Sequence, residues 1–368
     1  MNFLITGGTG FVGTELVEKL LALDHHVYLI SRPKTMARAH KKWGEQANCH
    51  LLEGDLTQAK VILQKFKDEK ELAQILDKID AVVHLAANYD LAAPYADCFL
   101  HNVVATQNIL YLASSCKKLS SFHHISTIAI SGNYQGNFKE EDLDLGQKFS
   151  NHYASTKFDA EIMLRSWKFE RAVKVRVYRP GIIVGDSLKG KFKKIDGPYY
   201  FLKFLDGLKT KRFLINALKY LPLPIDPKAD FPIVPVDWAV QCLTDSLLGD
   251  TGEELFKTYH LTLDHSPTVG TFIQDSFDAF GFNVSIVGLP ESKINTFIIE
   301  KLGLPKELLD YVYNGASFKN INYLEDFPQH KDFNYNMFKQ ALFAGAQKKL
   351  TKMSKKDASK GSKQGVSK

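Results

Sequence analysis

The chain opens Met1-Asn2-Phe3-Leu4-Ile5 and passes at once into Thr6-Gly7-Gly8-Thr9-Gly10-Phe11-Val12-Gly13, ahead of Leu16, Val17, Leu20 and Leu21. An apolar strand, a glycine turn and an amphipathic helix, in that order, are what a dinucleotide-binding crossover requires. Gly7 suits a tight turn out of the strand. Gly10 has no Cβ to block a pyrophosphate, and Gly13 lets the helix approach the sheet. The helix start, at Phe11 and Val12, offers backbone N–H groups to phosphate. The spacing is Gly-x-x-Gly-x-x-Gly rather than the commoner Gly-x-Gly-x-x-Gly, so the flanking apolar pattern carries as much of the signal as the glycines do.

Further apolar runs follow at regular intervals. His26 to Ile30, Cys49 to Glu53, Asp80 to Leu85, Phe122 to Ser126 and Val173 to Tyr178 read as strands,. Between them, Phe99, Val103, Thr106, Leu110 and Ala113 fall at helical spacing, and Tyr153 to Phe169 reads as a helix. Alternating strands and helices predict an α/β fold, a Rossmann-type doubly wound parallel sheet. Ligands in such sheets bind at the carboxyl ends of the strands. The residues at those ends are Ser31-Arg32, Gly54-Asp55-Leu56, Ala86-Ala87-Asn88, Ser126-Thr127 and Arg179-Pro180-Gly181.

After Gly185 the alternation is lost, and Pro198, Pro222, Pro224, Pro227, Pro232 and Pro235 punctuate apolar and basic stretches. The expected organisation is a nucleotide-binding domain over residues 1–185, completed by parts of 229–264. A smaller, mostly helical C-terminal substrate-binding cap follows over 186–346, and a disordered Lys-rich tail over 347–368. The tail holds eight lysines and one acid, Asp357, which gives it +7 of the chain's net +6 and leaves the remainder at −1. No nucleic-acid-binding domain is implied. The tail reads either as a solvated end or as a weak electrostatic tether, a peripheral membrane contact. Cys49, Cys98, Cys116 and Cys242 lack Cys-x-x-Cys spacing and read as reduced core residues of a cytoplasmic protein. The paired histidines at His25-His26 and His123-His124 read as structural, with no metal site.

Tyr153 and Lys157 lie four apart, on one helix face. An ammonium beside a phenol stabilises phenolate, so Lys157 is expected to pull the Tyr153 pKa down from its ordinary value of about 10. Tyr199 with Lys203 and Tyr335 with Lys339 share the spacing. Only Tyr153 sits on a helix that starts near the strand ends carrying Thr127 and the glycine turn. Thr127 offers a hydroxyl to a substrate oxygen or to its own backbone, with Ser126 the competing candidate one residue away.

Taken together, Thr6-Gly7-x-x-Gly10-x-x-Gly13, Gly54-Asp55-Leu56, His84-Leu85-Ala86-Ala87, Asn102-Val103, Ser126-Thr127, Tyr153-x-x-x-Lys157 and Arg179-Pro180-Gly181-x-x-x-Gly185 resemble the extended short-chain dehydrogenase/reductase family. Within it the chain is most similar to the branch of thioester reductases and fatty acyl-CoA or fatty aldehyde reductases, from Met1 to roughly Phe338. The resemblance implies Tyr153 as proton donor, Lys157 as its pKa setter and ribose ligand, and Thr127 as the clamp on the substrate oxygen. Asp55 and Leu56 would border the adenine, Ala86 and Ala87 the ribose, and Pro180, Gly181, Ile182 and Ile183 the nicotinamide. Asn102 matches a family helix position, although Ala105 stands where glycine is common. A homodimer through the helices at Asp97 to Cys116 and Tyr153 to Phe169 is also implied.

Folds of this kind that prefer NAD place an acid about 20 residues past the glycine turn. Ser31-Arg32-Pro33-Lys34 stands there instead, and a guanidinium can hold a 2′-phosphate, so NADP (as NADPH) is expected over NAD. The function implied is reduction of a fatty acyl thioester, such as a coenzyme A thioester, or of a fatty aldehyde. Two alternatives stay open. One is a dehydrogenase or epimerase acting on a steroid-like alcohol or nucleotide sugar; the other is a non-catalytic NADP-sensing protein. The cap stretch from Lys189 to Tyr220 interleaves Lys191, Lys193, Lys194, Lys209, Lys211 and Arg212 with Tyr199, Tyr200, Phe201, Phe204 and Phe213. It reads equally as an acyl channel with a phosphate-facing rim and as an ordinary packed cap.

Overall fold

Phe3, Leu4 and Ile5 are fully buried because β1 (Asn2–Thr6) is an interior strand with neighbours on both sides. The computed structural model describes residues 1–58, 69–249, 252–290, 312–313 and 315–364. They divide into two units: Met1–Gly181 with Ala239–Thr262 and Phe318–Asp332, and Ile182–Trp238 with Leu263–Ser317 and Phe333–Lys368.

In the first unit, β1 joins β2 (His26–Ser31), β3 (Cys49–Glu53), β4 (Ala81–His84), β5 (Ser121–Ile125), β6 (Lys174–Pro180) and β7 (Phe256–Leu261). All pair in parallel, in the order β7-β6-β5-β4-β1-β2-β3. The expected doubly wound sheet is what forms, and its strand order reverses at β1, which lies between β2 and β4. That reversal opens the crevice in which such sheets take their ligands. Parallel strands are covered on both faces and therefore read as near-continuous apolar runs. Leu4, Val82, Phe122 and Val177 pack with Ile109 and Leu110 of α3 (Ala105–Ser114) and Leu164 of α4 (His152–Ser166). Leu16, Val17 and Leu20 of α1 (Phe11–Ala22) are fully buried. Each such side chain contributes about 1.5–3 kcal/mol. Surface pairs such as Lys117–Asp77, whose side chains are 73% and 38% exposed, contribute at most about 1 kcal/mol.

The second unit holds, besides its helices, two small parallel sheets, Ile182–Val184 with Ile233–Pro235 and Tyr220–Leu223 with Ser285–Gly288. Phe318–Asp332, expected in the cap, belongs to the first unit, where Lys257 Nζ meets Asp326 at 2.7 Å. Part of the expected cap, residues 291–311, lies outside the described residues.

Over the Lys-rich tail, expected to be disordered, a helix runs from Lys339 to Gln364. Leu342, Phe343, Ala346 and Leu350 continue one apolar stripe and are buried, and Ala, Lys and Gln are good helix formers. The stripe anchors the start of a segment whose remainder is strongly polar.

This helix is fastened to the loop between residues 185 and 197. Lys349 Nζ donates to the carbonyls of Phe192 and Lys193, each at 2.7 Å, and stands 4.2 Å from the Phe192 ring centroid. Phe192 stacks on Tyr199, whose hydroxyl accepts from the Gly185 N–H at 2.7 Å. Gly190, at φ +59°, leaves no room for a side chain: a Cβ there would stand 1.9 Å from the Ala341 carbonyl oxygen. Gly190→Ala is therefore expected to destabilise the protein by about 1–3 kcal/mol. Urea unfolding would check this, and an unchanged midpoint would show that the loop is not held by the helix.

Candidate active site

The glycine turn is a cradle that side chains would fill. Gly7 has φ +71°, and a Cβ on it would lie 2.5 Å from the Ala86 nitrogen; one on Gly13 would lie 2.4 Å from the Gly7 carbonyl oxygen. The Gly10 N–H donates to that same oxygen at 2.9 Å and closes the turn. Helix α1 has no side-chain N-cap and no acid in its first turn, so the positive end of its dipole favours an anion. The turn after β1 and the segment Leu85-Ala86 after β4 abut across the switch point. The Ala86 N–H also donates to Thr6 Oγ1 at 3.3 Å. These residues fit a dinucleotide.

At the end of β2, Arg32 is the residue before α2 (Pro33–Trp43) and is partly exposed. Its guanidinium lies 3.3 Å from His101 Nε2. A second cation joins this corner: Arg38, on α2, donates to the Thr9 carbonyl of the glycine turn at 3.0 Å. Sequence reading missed Arg38 because it is six positions beyond the place where an acid or a cation is sought, and only the direction of α2 brings it back to the turn. After β3, Asp55 Oδ1 accepts from the Thr57 N–H and hydroxyl at 3.0 and 2.8 Å. Leu56 is buried, and its carbonyl accepts from Asn108 at 2.7 Å.

Thr127 follows β5 in extended backbone, 8% exposed, and its hydroxyl accepts from the Ala129 N–H at 3.2 Å. It is also hydrogen-bonded to the Tyr153 phenol. The two readings of Thr127, backbone cap and partner of the site, hold together. The competing Ser126 keeps a buried hydroxyl with no hydrogen-bond partner among the described residues. Asn151 caps α4 by accepting from the Ala154 N–H at 2.9 Å, which sets Tyr153 in the helix's first turn. Lys157, one turn on and 2% exposed, donates to the Ile125 carbonyl at 2.6 Å and to His124 Nε2 at 3.2 Å.

The electrostatics correct one expectation. Burial raises the Tyr153 pKa, partly offset by the Thr127 hydrogen bond, rather than Lys157 lowering it. The ammonium is instead turned to Ile125 and His124. Burial brings Lys157 itself down to about 8, opposed by Glu161.

Beneath Lys157 lies a buried polar chain that periodicity cannot show. The Thr106 hydroxyl donates to the Asn102 carbonyl at 2.6 Å, so at 3.1 Å it accepts from His84 Nε2,. His84 Nδ1 then accepts from Thr6 at 2.7 Å. His84 is pushed down to about 3 by burial and by Lys157, and burial with the same lysine holds His124 well below its ordinary value. Asn102 lies in a π-helical turn, Leu100–Val104, of the kind common at functional sites,. It accepts from the Asn88 N–H at 2.8 Å and donates to Thr156 on α4 at 3.0 Å. That ties the segment after β4 to the helix carrying Tyr153. His123, on the opposite sheet face from His124, meets the Tyr178 hydroxyl at 2.8 Å.

Pro180 ends β6, and the Gly181 N–H donates to the Leu261 carbonyl at 3.0 Å. Ile182 and Ile183 open the next strand, in the second unit, opposite Ile233 and Val234. The look-alike pairs do other work there. Tyr199 and Tyr335 are buried, and Lys339 pairs with Asp275 at 3.1 Å.

A switch-point cradle, with a tyrosine and a lysine on one helix beside a strand-end threonine, defines an NAD(P)-dependent oxidoreductase of the extended short-chain dehydrogenase/reductase type. The NAD-binding family described as Male sterility protein matches residues 5–243, and the chain belongs to it. Fatty acyl-CoA reductase 1 of Xenopus laevis is 34% identical over 146 residues, 34% of this chain and 28% of that protein. A carboxylic acid reductase of Segniliparus rugosus is 24% identical over 299 residues, 73% of this chain and 24% of that one. The aligned regions thus span about a quarter of these relatives' own length. Among solved structures, the terminal R domain from the myxalamid PKS-NRPS biosynthetic pathway superposes with a TM-score of 0.73 at 20% identity, covering 96% of this chain and 91% of that one. UDP-glucuronic acid 4-epimerase from Bacillus cereus gives 0.64 at 17% identity, over 95% and 99%. At these identities the two structures speak for the fold alone.

Proposed function

We propose that this chain uses NADPH to reduce a fatty acyl thioester or a fatty aldehyde, with Tyr153 as proton donor. The observation that carries the reading is the Thr127–Tyr153 hydrogen bond beside a buried Lys157. It pairs an oxygen clamp with an acid that burial keeps protonated. The bound cofactor supplies hydride to the carbonyl carbon. Thr127 then holds the oxygen on which charge develops, and Tyr153 gives it a proton. With a thioester, the carbon–sulfur bond breaks, the thiol leaves with a proton, and an aldehyde remains; with an aldehyde, the same step gives the alcohol. The fatty acyl-CoA and carboxylic acid reductases among the relatives favour this substrate class over nucleotide sugars, and so does the absence of an acid at Ser31-Arg32-Pro33-Lys34.

The test is NADPH oxidation by the purified protein against long-chain aldehydes, acyl-CoAs, a steroid ketone and a nucleotide sugar. Turnover confined to the first two supports the reading; turnover of only the sugar or the steroid overturns it. Arg32 and Arg38 would hold the 2′-phosphate. Arg32→Ala with Arg38→Ala is expected to raise KM for NADPH about 10- to 100-fold, with NADH nearly unaffected. Equal loss for both cofactors would remove the arginines from that role. Lys157 would hold the cofactor ribose best as an ammonium, so kcat/KM for NADPH is expected to fall as pH rises through about 8,. A flat profile across that range would contradict it.

A further inference from the structure

In the second unit, α5 (Pro198–Gly207) is followed by α6 (Arg212–Asn216), in which no residue is buried. Phe213 is 86% exposed and Leu214 68%, and Leu218 and Tyr220 are exposed beside them. A helix of this size normally turns its apolar side chains inward, and a run of exposed apolar groups of this kind marks a surface that meets something. Lys211, Arg212 and Lys219 are exposed around them, and no acid occurs between Asp206 and Asp226. The nearer of these acids already holds Lys209.

Two neighbouring features extend the surface. The strand Tyr220–Leu223 pairs with Ser285–Gly288, which brings in exposed Val287, followed by exposed Leu289. The turn that ends α7 (Val269–Ala279) fastens both α6 and α8 (Lys339–Gln364). Asn283 N–H donates to Asn216 Oδ1 at 2.8 Å, and Gln347 donates to the Ala279 carbonyl at 2.7 Å. On α8, Lys348, Lys352 and Lys355 are exposed at helical spacing that sets them on one face.

We propose that this is a membrane-docking surface: Phe213, Leu214 and Leu218 enter the headgroup region of an anionic bilayer, with Lys211, Arg212, Lys219 and the α8 lysines against its phosphates. Exposed apolar side chains flanked by cations, with no acid among them, are what an anionic interface takes up. A protein partner would need acidic and apolar groups in a fixed pattern, whereas a bilayer offers both without one. Among the described residues no helix is long and apolar enough to cross a membrane, so the contact is peripheral. The inference does not depend on the proposed activity, because its test reads partition and not turnover.

The test is co-sedimentation of the full chain with vesicles of phosphatidylcholine alone or with about one-quarter phosphatidylglycerol, in low salt and in about 1 M NaCl, where the screening length falls to about 3 Å. Sedimentation with the anionic vesicles, reduced by salt and weakened about tenfold or more by Phe213→Ser with Leu214→Ser, is the expected result. Lys211→Glu with Arg212→Glu should weaken it similarly. Both double variants change exposed residues, and an unchanged melting temperature verifies that they fold. Three results would overturn the proposal. The protein stays in the supernatant; or the apolar variant sediments as the parent does; or light scattering shows that the same residues hold two copies of the chain together.

Discussion

Tyr153→Phe is expected to lower kcat by about 10²–10⁴-fold, with the fold and NADPH affinity retained. The substitution removes one oxygen from a ring in the first turn of α4, and that oxygen's partner, Thr127, keeps its bond to the Ala129 N–H. Little else is disturbed. Burial raises the Tyr153 pKa, so near neutral pH the hydroxyl keeps the proton that the proposed reduction would consume. Lys157, fixed by Ile125 and His124, is not among the groups that move the phenol's pKa. Thr127→Val should cost less than Tyr153→Phe, because it removes a clamp and leaves the acid. Ser126→Ala should cost least. A Tyr153→Phe enzyme within a few-fold of the parent would mean that another group or a water supplies the proton, and the reverse ranking of the threonine and the serine would reassign the clamp.

The second large effect is on stability. Arg179 and Glu161 form an ion pair with both side chains fully buried, at 2.8 Å. Arg179 also donates to the Asp142 carbonyl at 2.7 Å and to those of Lys139 and Glu140 at 3.3 Å. Removing one partner leaves an uncompensated charge in the interior. Arg179→Met is therefore expected to cost about 3–5 kcal/mol in urea unfolding, with Glu161→Leu in the same background recovering much of it. Glu161 is one turn beyond Lys157 on α4, so the pair also fixes the helix that carries the site. The loop it grips adds a pH dependence. Burial raises Glu140 from an ordinary 4.5 to about 7, against the pull of the His260 and Asn322 N–H groups. Because its folded pKa lies above its unfolded one, its contribution is complete below about 4.5 and is lost as pH rises through about 7,. Arg179→Met no more stable at pH 5 than at pH 8, and no less stable than the parent at either, would show that this buried cluster holds nothing together.

The parallel sheet was legible because burial on both faces writes each strand as an apolar run. Cys49–Glu53 forms over the residues expected, and the other strands read from the sequence as far as Tyr178 shift by one or two. The glycine turn was legible because its shape excludes side chains, and the Cβ clashes at Gly7 and Gly13 are the physical content of that motif. What stayed hidden depends on where distant segments meet. Tyr220–Leu223 is short and holds a proline, and its partner Ser285–Gly288 lies some sixty residues on, so neither reads as a strand alone. The Lys-rich end looked featureless because its composition masks a stripe whose last buried member is Leu350. Spacing placed Tyr153 and Lys157 on one face but could not say where the ammonium points, and that direction decides which pKa moves. Arg179 was legible as part of the Arg179-Pro180-Gly181 motif; its burial against Glu161 was not.

The most direct single measurement is deuterium transfer from NADPH labelled at the nicotinamide C4, with a long-chain aldehyde or acyl-CoA as acceptor and the product analysed by mass spectrometry. One deuterium at C1 of the product, absent with Tyr153→Phe, is the predicted result. NADPH that binds but transfers no label to either acceptor would contradict the proposed reaction and leave a cofactor-binding protein whose substrate, if any, is of another class.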